Sequence, residues 1–341
     1  MKKKTTDFAE YYASYMTMYL PGQKGLSECT IDSYRYTFKL IFDFTEEKLG
    51  VSSERITLKL LNCEFVESFL NWLENERGNS IATRNQRLTA IRSFVRYAKK
   101  RKPEYLFECQ KILEIDSKKK PKPELGHLTP DAMQDIISRP KGYDKWGRRD
   151  IVLLSLMYDC GGRVSEICDL CVKNVRLQKP YTVTLIGKNR KTRSVPIMES
   201  TVKVLKTYLT ENQLLTSDKG DYPLFTNHQH NKLTRAGIAY ILKKYCDAAR
   251  KDGLLIPAKI SPHILRHSKA MHMLQAGLNL IYIRDFLGHE QIETTEIYAK
   301  ADTEMKRKAI EAAQICVEPN LPDWAEDKAL MAMLMNMQNK G

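Results

Sequence analysis

Residues 261–298, SPHILRHSKAMHMLQAGLNLIYIRDFLGHEQIETTEIY, contain the stretch that decides how this chain folds. Apolar side chains recur at helical spacing over residues 263–276, which predicts a helix there. His263 and Arg266 lie about one turn apart on that helix, so both side chains face the same way. The predicted helix therefore presents a histidine and an arginine together.

Four further candidate residues lie outside that helix. His289 and Tyr298 end the same stretch and are nine residues apart. Arg163 lies in CGGRVSEICDL, after a Gly-Gly turn that opens a helix. Lys188 lies at the tip of a predicted hairpin, in IGKNRKTRSVPI. Each of these side chains has an ordinary surface or core explanation when it is taken alone, so only their combination indicates a function.

The combination suits cleavage of a phosphodiester without a metal ion. Negative charge on the phosphate repels a nucleophile, and an alkoxide is a poor leaving group. Catalysis therefore needs cations on the non-bridging oxygens, a general acid for the leaving 5′-oxygen and a nucleophile that can depart again. Arginine suits the first task because its planar fork binds phosphate oxygens and stays charged.

Hydrophobic periodicity divides the chain into two parts. Apolar side chains at three- and four-residue spacing predict helices over residues 28–48, 59–75 and 80–100. The Lys- and Pro-rich segment IDSKKKPKPELGH follows and favours an extended linker. Thr129-Pro130-Asp131 then favours a helix start. The predicted parts are a helical N-terminal domain over 1–112, a linker over 113–127, a catalytic domain over 128–318 and a C-terminal tail over 319–341.

The second domain is expected to combine helices with a few strands. Residues 175–197 carry β-branched runs on both sides of a Gly-Lys-Asn-Arg turn, which predicts an antiparallel hairpin. Helical patterns resume over 199–212 and 234–250. The predicted fold class is mainly α with a small antiparallel sheet, as a helical domain followed by an α+β catalytic domain.

The charge balance favours a polyanionic partner. The formal net charge is +14, which points to nucleic acid or to a membrane surface. Between Arg77 and Pro103 there are nine basic residues and no acidic one, whereas a solvated helix face normally mixes both signs. The residues expected to contact DNA phosphates are Arg84, Arg87, Arg92, Arg96, Lys99, Arg190, Lys191 and Arg193.

The cysteines indicate a reducing compartment. Eight cysteines scattered through 341 residues are typical of reduced thiols in a cytoplasm. Cys168 and Cys171 form a CxxC without a second pair at zinc-site spacing, so neither a metal site nor another cofactor is expected. The chain has no apolar run of about 18 residues, so no transmembrane helix is predicted.

The motifs resemble those of the tyrosine recombinases, the family of phage integrases, Xer-type resolvases and transposon-encoded integrases. That family has a G-x-R-x-x-E/L box, a lysine in a hairpin Gly-Lys, an H-x-L-R-H box, an L-G-H box and a tyrosine nine residues after the last histidine. All of these occur here in order. TRNQRLTAIRSFVRYA also resembles the last helices of the family's core-binding, SAM-like domain, so the resemblance covers roughly residues 8–316.

The resemblance implies a role for each motif residue. The implied catalytic residues are Arg163, Lys188, His263, Arg266, His289 and Tyr298. The two arginines would hold the scissile phosphate, and the lysine would protonate the leaving 5′-oxygen. His263 would act as general acid or base near the tyrosine, and His289 would hydrogen-bond to the phosphate. Tyr298 would attack and keep the 3′-phosphate as a phosphotyrosine, so neither metal nor ATP is required.

Neighbouring polar residues are expected to support this set. Glu166 lies three residues after Arg163, so it is expected to orient that arginine or to cap the helix. His267 and His272 are expected to pack against the H-x-L-R-H box or to support it.

The resemblance also implies an assembly on DNA. The expected partners are double-stranded DNA with inverted-repeat core sites, three further copies in a tetramer on two sites, and companion recombinases of the same element. In the tail, apolar residues lie near one helix face: Trp324, Leu330, Met331, Leu334 and Met335. We expect the tail to dock on a neighbouring protomer, and the alternative is a helix folded onto its own domain.

Residues 267–302 look most like integrases of transposons and other mobile elements, so DNA integration or transposition is the expected role. An Xer-type resolvase of chromosome or plasmid dimers is the alternative. A type IB topoisomerase shares the catalytic set, but the N-terminal helices argue against it. A non-catalytic DNA-binding accessory protein would not need a tyrosine at position 298.

Overall fold

The structure is a computed structural model that describes residues 5–119, 126–142, 144–187, 191–289 and Thr295. The chain divides into two compact units, Met1–Pro123 and Glu124–Gly341. Each unit has a hydrophobic core of its own, so each is described by itself. Among the described residues, no helix is both long enough and apolar enough to cross a membrane.

The N-terminal unit is a helical bundle. Its α-helices are α1 (Asp7–Ser14), α2 (Glu28–Leu49), α3 (Cys63–Asn75), α4 (Ile81–Lys99) and α5 (Leu106–Glu114), and a π-helical segment continues α1 over Tyr15–Gln23. The helices predicted from periodicity are therefore present, with bounds that differ by a few residues. Helix α5 falls partly within the segment that the sequence predicted as linker.

Aromatic side chains hold this bundle together. Phe94 of α4 lies edge-on to Phe38 of α2, with 5.2 Å between ring centroids, and edge-on to Tyr15 at the same distance. All three rings are fully buried. The Tyr97 hydroxyl donates a hydrogen bond to Ser14 Oγ at 2.8 Å, which ties α4 to the end of α1. Such edge-to-face pairs add to the stabilisation from apolar burial.

Three arginines predicted as DNA contacts lie inside this unit. Arg84 and Arg87 are buried, and Arg87 donates to Ser33 O and Thr37 Oγ1, both at 3.2 Å. Arg92 donates to Ile115 O. Arg84 donates to Asn85 Oδ1, so all three guanidinium groups already donate to protein oxygens, and a phosphate contact would have to break these bonds.

The remaining two predicted contacts of α4 have a different setting. Arg96 is exposed, and Lys99 Nζ donates to Gln110 Oε1 at 2.7 Å near the end of the helix. These two side chains are the ones that can reach a phosphate without disturbing the core. The phosphate contact itself stays a prediction for both residues.

The C-terminal unit is mainly helical with a small sheet. Its helices are α6 (Pro130–Ser138), α7 (Lys145–Cys160), α8 (Val164–Cys168), α9 (Glu199–Glu211), α10 (Arg235–Lys251), α11 (His263–Gln275) and α12 (Leu280–Leu287). Its strands are β1 (Val175–Arg176), β2 (Thr182–Ile186) and β3 (Thr192–Pro196). Within the described residues these strands form one antiparallel sheet in the order β1-β2-β3. The predicted fold class is confirmed, and β1 extends the predicted hairpin by a short third strand.

Helix α7 organises the C-terminal unit. It is buried along most of its length and packs against α9 and α11. Tyr158 of α7 shares a 2.8 Å hydrogen bond with His272 Nδ1 of α11, and His272 Nε2 lies 2.9 Å from Leu128 O. His272 therefore links α11 to α7 and to Leu128, which is the supporting role that the sequence predicted. Thr129 caps α6 through a bond from Ala132 N, which confirms the predicted helix start.

Substitution of Gly147 by alanine tests the packing at the start of α7. A Cβ at this position would lie 2.0 Å from Lys141 O, so the backbone would have to move. We expect Gly147→Ala to lower the free energy of unfolding by about 1–3 kcal/mol, as overpacking does. The matched control is Gly237→Ala in α10, where the nearest atom is the end of a side chain, Leu233 Cδ1 at 3.0 Å, rather than backbone. Urea unfolding curves that move equally for the two variants would contradict this packing.

Candidate active site

Arg163 enters the site from the turn between α7 and α8. Gly161 ends α7 in the left-handed region, with φ +54°, and so turns the chain toward α8. Arg163 then serves as the N-cap of α8. Its Nη1 donates to Glu166 Oε1 at 2.8 Å and its Nη2 donates to Gly288 O at 3.2 Å. Its side chain is 36% exposed, so the guanidinium lies at the rim of the site.

Glu166 is the buried carboxylate of the site, with a side chain only 2% exposed. Its Oε2 accepts the backbone N–H of Arg163 at 2.9 Å, so it caps α8 as well as orienting Arg163. Both expected roles are thus confirmed. Burial raises the pKa of Glu166, but hydrogen bonds from Arg193 and Arg163 outweigh burial and lower this pKa to about 2. The carboxylate is therefore charged at neutral pH.

Arg193 reaches the same carboxylate from β3. Its Nη1 and Nη2 donate to Glu166 Oε1 and Oε2 at 3.0 and 2.7 Å, and its Nε donates to Phe286 O at 3.2 Å. The sequence predicted a contact with DNA, but the fork faces inward and is occupied. The inward direction of Arg193 could have been predicted from strand periodicity. Its neighbours Thr192 and Ser194 are exposed, and Arg193 shares the opposite face of the strand with buried Val195.

Arg266 lies deepest in the site. It projects from α11 and is 3% exposed. Its Nη1 donates to Gly161 O at 2.7 Å and its Nη2 donates to Leu287 O at 2.6 Å. These carbonyls lie at the C-terminal ends of α7 and α12, where the helix dipole favours a cation. The guanidinium is thereby fixed between two helix ends.

Three histidines surround the arginines. Burial and the charges of Arg266 and Arg163 lower the pKa of His289 to about 4, and its Nδ1 lies 3.0 Å from Thr295 Oγ1. Burial and the neighbouring His263 lower the pKa of His267 to about 4. Partial burial, Arg266 and Arg163 also lower the pKa of His263. Burial, reinforced by the neighbouring cations, holds these rings in the neutral form.

Two of the six catalytic candidates, Lys188 and Tyr298, lie outside the described residues, as does the predicted DNA contact Arg190. The residues that flank positions 188–190 are described, and Gly187 N donates to Lys191 O at 2.7 Å. A Cβ on Gly187 would lie 3.2 Å from Glu166 Oε1. Gly187 therefore lies against the carboxylate that holds Arg163 and Arg193. Lys191 is exposed there, and its contact with DNA stays a prediction.

The arrangement is suited to binding a tetrahedral oxyanion. The guanidinium groups of Arg163 and Arg193 converge on the Glu166 carboxylate, and Arg266 adds a third cation, which leaves a net positive charge. Neutral histidine rings beside them can accept or donate a proton. Arg163, the His263–Arg266 pair of α11 and His289 come from three separate stretches of the chain, and the fold brings them together.

Comparison with sequence profiles places both units among known domains. The profile of the Phage integrase family matches residues 127–305, and the profile of the phage integrase N-terminal SAM-like domain matches residues 15–102.

Curated relatives extend over most of the chain. An integrase/recombinase of Sinorhizobium fredii, y4rC, is 34% identical over 308 residues, which cover 90% of this chain and 92% of the relative. Tyrosine recombinase XerC of Roseiflexus castenholzii is 33% identical over 290 residues, which cover 84% of this chain and 87% of the relative.

Solved structures share the fold at lower sequence identity. The XerH recombinase bound to its difH substrate matches with a TM-score of 0.66 and 24% identity, covering 84% of this chain and 79% of that chain. The integrase of transposon Tn1549 bound to transposon right-end DNA matches with a TM-score of 0.65 and 16% identity, covering 88% of this chain and 98% of that chain.

The lowered histidine pKa values predict a loss of stability in mild acid. His267 and His289 have a pKa of about 4 in the folded chain and about 6.5 when unfolded. Between these values the unfolded chain binds more protons, so stability is full above pH 6.5 and declines toward pH 4. We expect the melting temperature of His267→Gln/His289→Gln to fall less between pH 7.5 and pH 5 than that of the wild type. Parallel profiles for the two proteins would contradict the predicted pKa values.

A pair of glycine variants tests the contact between α12 and Arg193. Gly288 has a φ of +65°, and a Cβ there would lie 2.9 Å from Arg193 Cδ. Gly277 has a φ of +84°, and a Cβ there would meet nothing within 4 Å. Gly277→Ala therefore adds backbone strain alone, about 1 kcal/mol, whereas Gly288→Ala adds the clash as well. The larger loss of unfolding free energy is expected for Gly288→Ala, and equal losses would argue against this contact.

Proposed function

The chain belongs to the Phage integrase family of tyrosine recombinases, and from this premise we propose that it is a site-specific DNA recombinase. It cuts and rejoins strands through a 3′-phosphotyrosine at Tyr298. The observation that carries the proposal is the convergence of Arg163 and Arg266 beside neutral His289. Binding alone would not require such a cluster next to a predicted nucleophile.

The arginines act on the scissile phosphate in this proposal. Arg266 is fixed by two helix-end carbonyls, so its guanidinium group is preorganised. Arg163 is at the rim and meets the phosphate from the other side. Together they offset the negative charge that grows on the non-bridging oxygens as the tyrosine attacks. Loss of one hydrogen-bond donor to the phosphate oxygens typically raises the activation free energy by about 3–4 kcal/mol.

The proton transfers use one neutral acceptor, His263, and one protonated donor, Lys188. The Tyr298 oxygen attacks phosphorus, and neutral His263 accepts the phenolic proton. The bond from phosphorus to the 5′-oxygen breaks, and Lys188 donates the proton that the leaving oxygen needs. His289 donates a hydrogen bond to the phosphate. A 5′-hydroxyl of the partner strand reverses these steps, so bond energy is conserved without ATP, metal or another cofactor.

Integration or transposition of a mobile element is the proposed biological role. The 34% identity to the integrase/recombinase y4rC and the fold shared with a transposon integrase support it. Resolution of chromosome or plasmid dimers is the second candidate, because a XerC relative is 33% identical over most of the chain. A gene position inside a mobile element would favour the first role.

The proposed partners are duplex DNA with inverted-repeat core sites, further copies of the chain in a tetramer, and companion recombinases of the same element. Solved neighbours include a lambda integrase tetramer on a Holliday junction, which supports the tetramer by analogy of fold. The proposed compartment is the cytoplasm. The described cysteines are free thiols, as expected in a reducing environment.

Covalent trapping tests the proposed reaction. Purified protein would be mixed with nicked duplexes that carry element ends, with EDTA present, and then denatured in SDS. We expect a slowly migrating protein–DNA species that disappears in Tyr298→Phe, because the phenol oxygen forms the bond.

Tyr282→Phe is the matched control, since Tyr282 is an exposed tyrosine of α12, and it should retain the covalent species. A covalent species that persists in Tyr298→Phe would contradict the assignment of Tyr298 as the nucleophile. No species on any end, despite tight DNA binding, would favour a non-catalytic DNA-binding protein.

Truncation tests the proposed exchange of the tail between protomers. A chain that ends at Asn320 should bind a single site but lose pairing of two sites, because the apolar tail face is missing. Leu334→Gln should weaken pairing in the same way, whereas Met333→Gln, off the predicted apolar face, should not. Gel-shift assays with one and two sites measure both steps. Normal pairing by the truncated chain would rule out the exchange.

A further inference from the structure

Glu166 creates a difficulty for the proposed phosphate clamp. Its buried carboxylate accepts a bond from Arg163 Nη1 at 2.8 Å, so it occupies the arginine that the phosphate needs. Breaking a buried ion pair and leaving one charge unpaired is strongly unfavourable. Arg163 can turn toward an anion only if another cation keeps Glu166 neutralised.

Arg193 is placed to supply that cation. Its two terminal nitrogens bind both carboxylate oxygens of Glu166, at 3.0 and 2.7 Å, in the fork geometry that gives the strongest pairs. Its side chain is 15% exposed, against 36% for Arg163. Of the two arginines that share Glu166, Arg193 is the inner one and Arg163 faces outward.

Arg193 is also fixed at its third donor. Its Nε donates to Phe286 O at 3.2 Å, just before the segment that bears His289. The Gly288 backbone approaches it closely, since a Cβ on Gly288 would lie 2.9 Å from Arg193 Cδ. With Nε and both terminal nitrogens engaged, Arg193 is a poor candidate for a DNA contact and a good one for a fixed internal charge.

We propose that Arg193 is a positioning residue that neutralises Glu166 and thereby releases Arg163 to the scissile phosphate. The inference rests on the proposed function and deepens it. Arg193 touches neither substrate nor reacting atoms. It holds the carboxylate that would otherwise retain the clamp arginine, and it ties β3 to the end of α12.

A rescue experiment separates this role from a purely structural one. The variants are Arg193→Gln, Arg193→Lys, Glu166→Gln and the double variant Arg193→Gln/Glu166→Gln. In Arg193→Gln the unneutralised carboxylate keeps Arg163. In the double variant two amides can pair with each other, and Arg163 has no carboxylate to hold it.

Single-turnover cleavage of a trapping substrate is the first readout. We expect Arg193→Gln to slow cleavage by about a hundredfold, the size of losing one clamp donor. The double variant should recover to within about tenfold of wild type, since contacting residues show such coupling. Arg193→Lys should lie between Arg193→Gln and wild type, because it keeps the charge but loses the bidentate fork.

Arg139→Gln is the matched control. Arg139 is 17% exposed and pairs with Asp135 and Asp252, at a site that contains none of the catalytic candidates. Its loss should lower the melting temperature without slowing cleavage. If Arg193→Gln and the double variant are equally slow while both remain folded, Arg193 is merely structural and the proposal fails.

Phosphate binding is the second readout and does not depend on strand cleavage. Inorganic phosphate would be titrated while the ring resonances of His289 and His263 are followed by NMR. We expect weaker binding in Arg193→Gln and recovered binding in the double variant. If wild type binds phosphate with this pattern but forms no covalent complex, the recombinase proposal fails and the inference stands. Absence of phosphate binding in wild type, or no recovery in the double variant, would overturn the inference.

Discussion

The catalytic unit depends on one buried carboxylate and the cations that offset it. Glu166 is 2% exposed, and its pKa is held at about 2 by Arg193 and Arg163. A charge at that depth is tolerated only with full hydrogen bonding. It therefore fixes the relative positions of helix α8, strand β3 and the end of α12, the three elements that carry or flank the catalytic candidates.

Helix ends supply the rest of the framework. Arg266 bonds Gly161 O and Leu287 O, and Arg163 bonds Gly288 O. Carbonyls at helix C-termini carry partial negative charge, so they attract guanidinium groups without adding a full anion to the site. The arginines are thus preorganised by dipoles and one carboxylate, and the net charge stays positive. Burial and this positive field keep the histidine rings neutral, which is the form that accepts a proton from a phenol.

Sequence patterns predicted the helices well and the directions of charged side chains poorly. The segment 80–100 became α4 (Ile81–Lys99) because apolar periodicity reports which residues a helix buries. Motif spacing singled out Arg163, His263, Arg266 and His289, and the fold brings them together. Arg87 was expected on DNA, but its partners Ser33 O and Thr37 Oγ1 lie on another helix, which charge counting cannot reveal. The inward direction of Arg193 was missed for a similar reason. Its position close to the hairpin turn suggested exposure, whereas the alternation of side chains along the strand places it on the same face as buried Val195.

In the proposed mechanism Arg163 offsets the negative charge of the scissile phosphate. The most direct test of this role is cleavage of a duplex in which a neutral methylphosphonate replaces the scissile phosphate. A neutral centre needs no cation, so Arg163→Ala should cleave this substrate nearly as fast as wild type does. On the ordinary phosphate the same variant should be slower by about a hundredfold or more. Equal impairment of Arg163→Ala on both substrates would contradict the account.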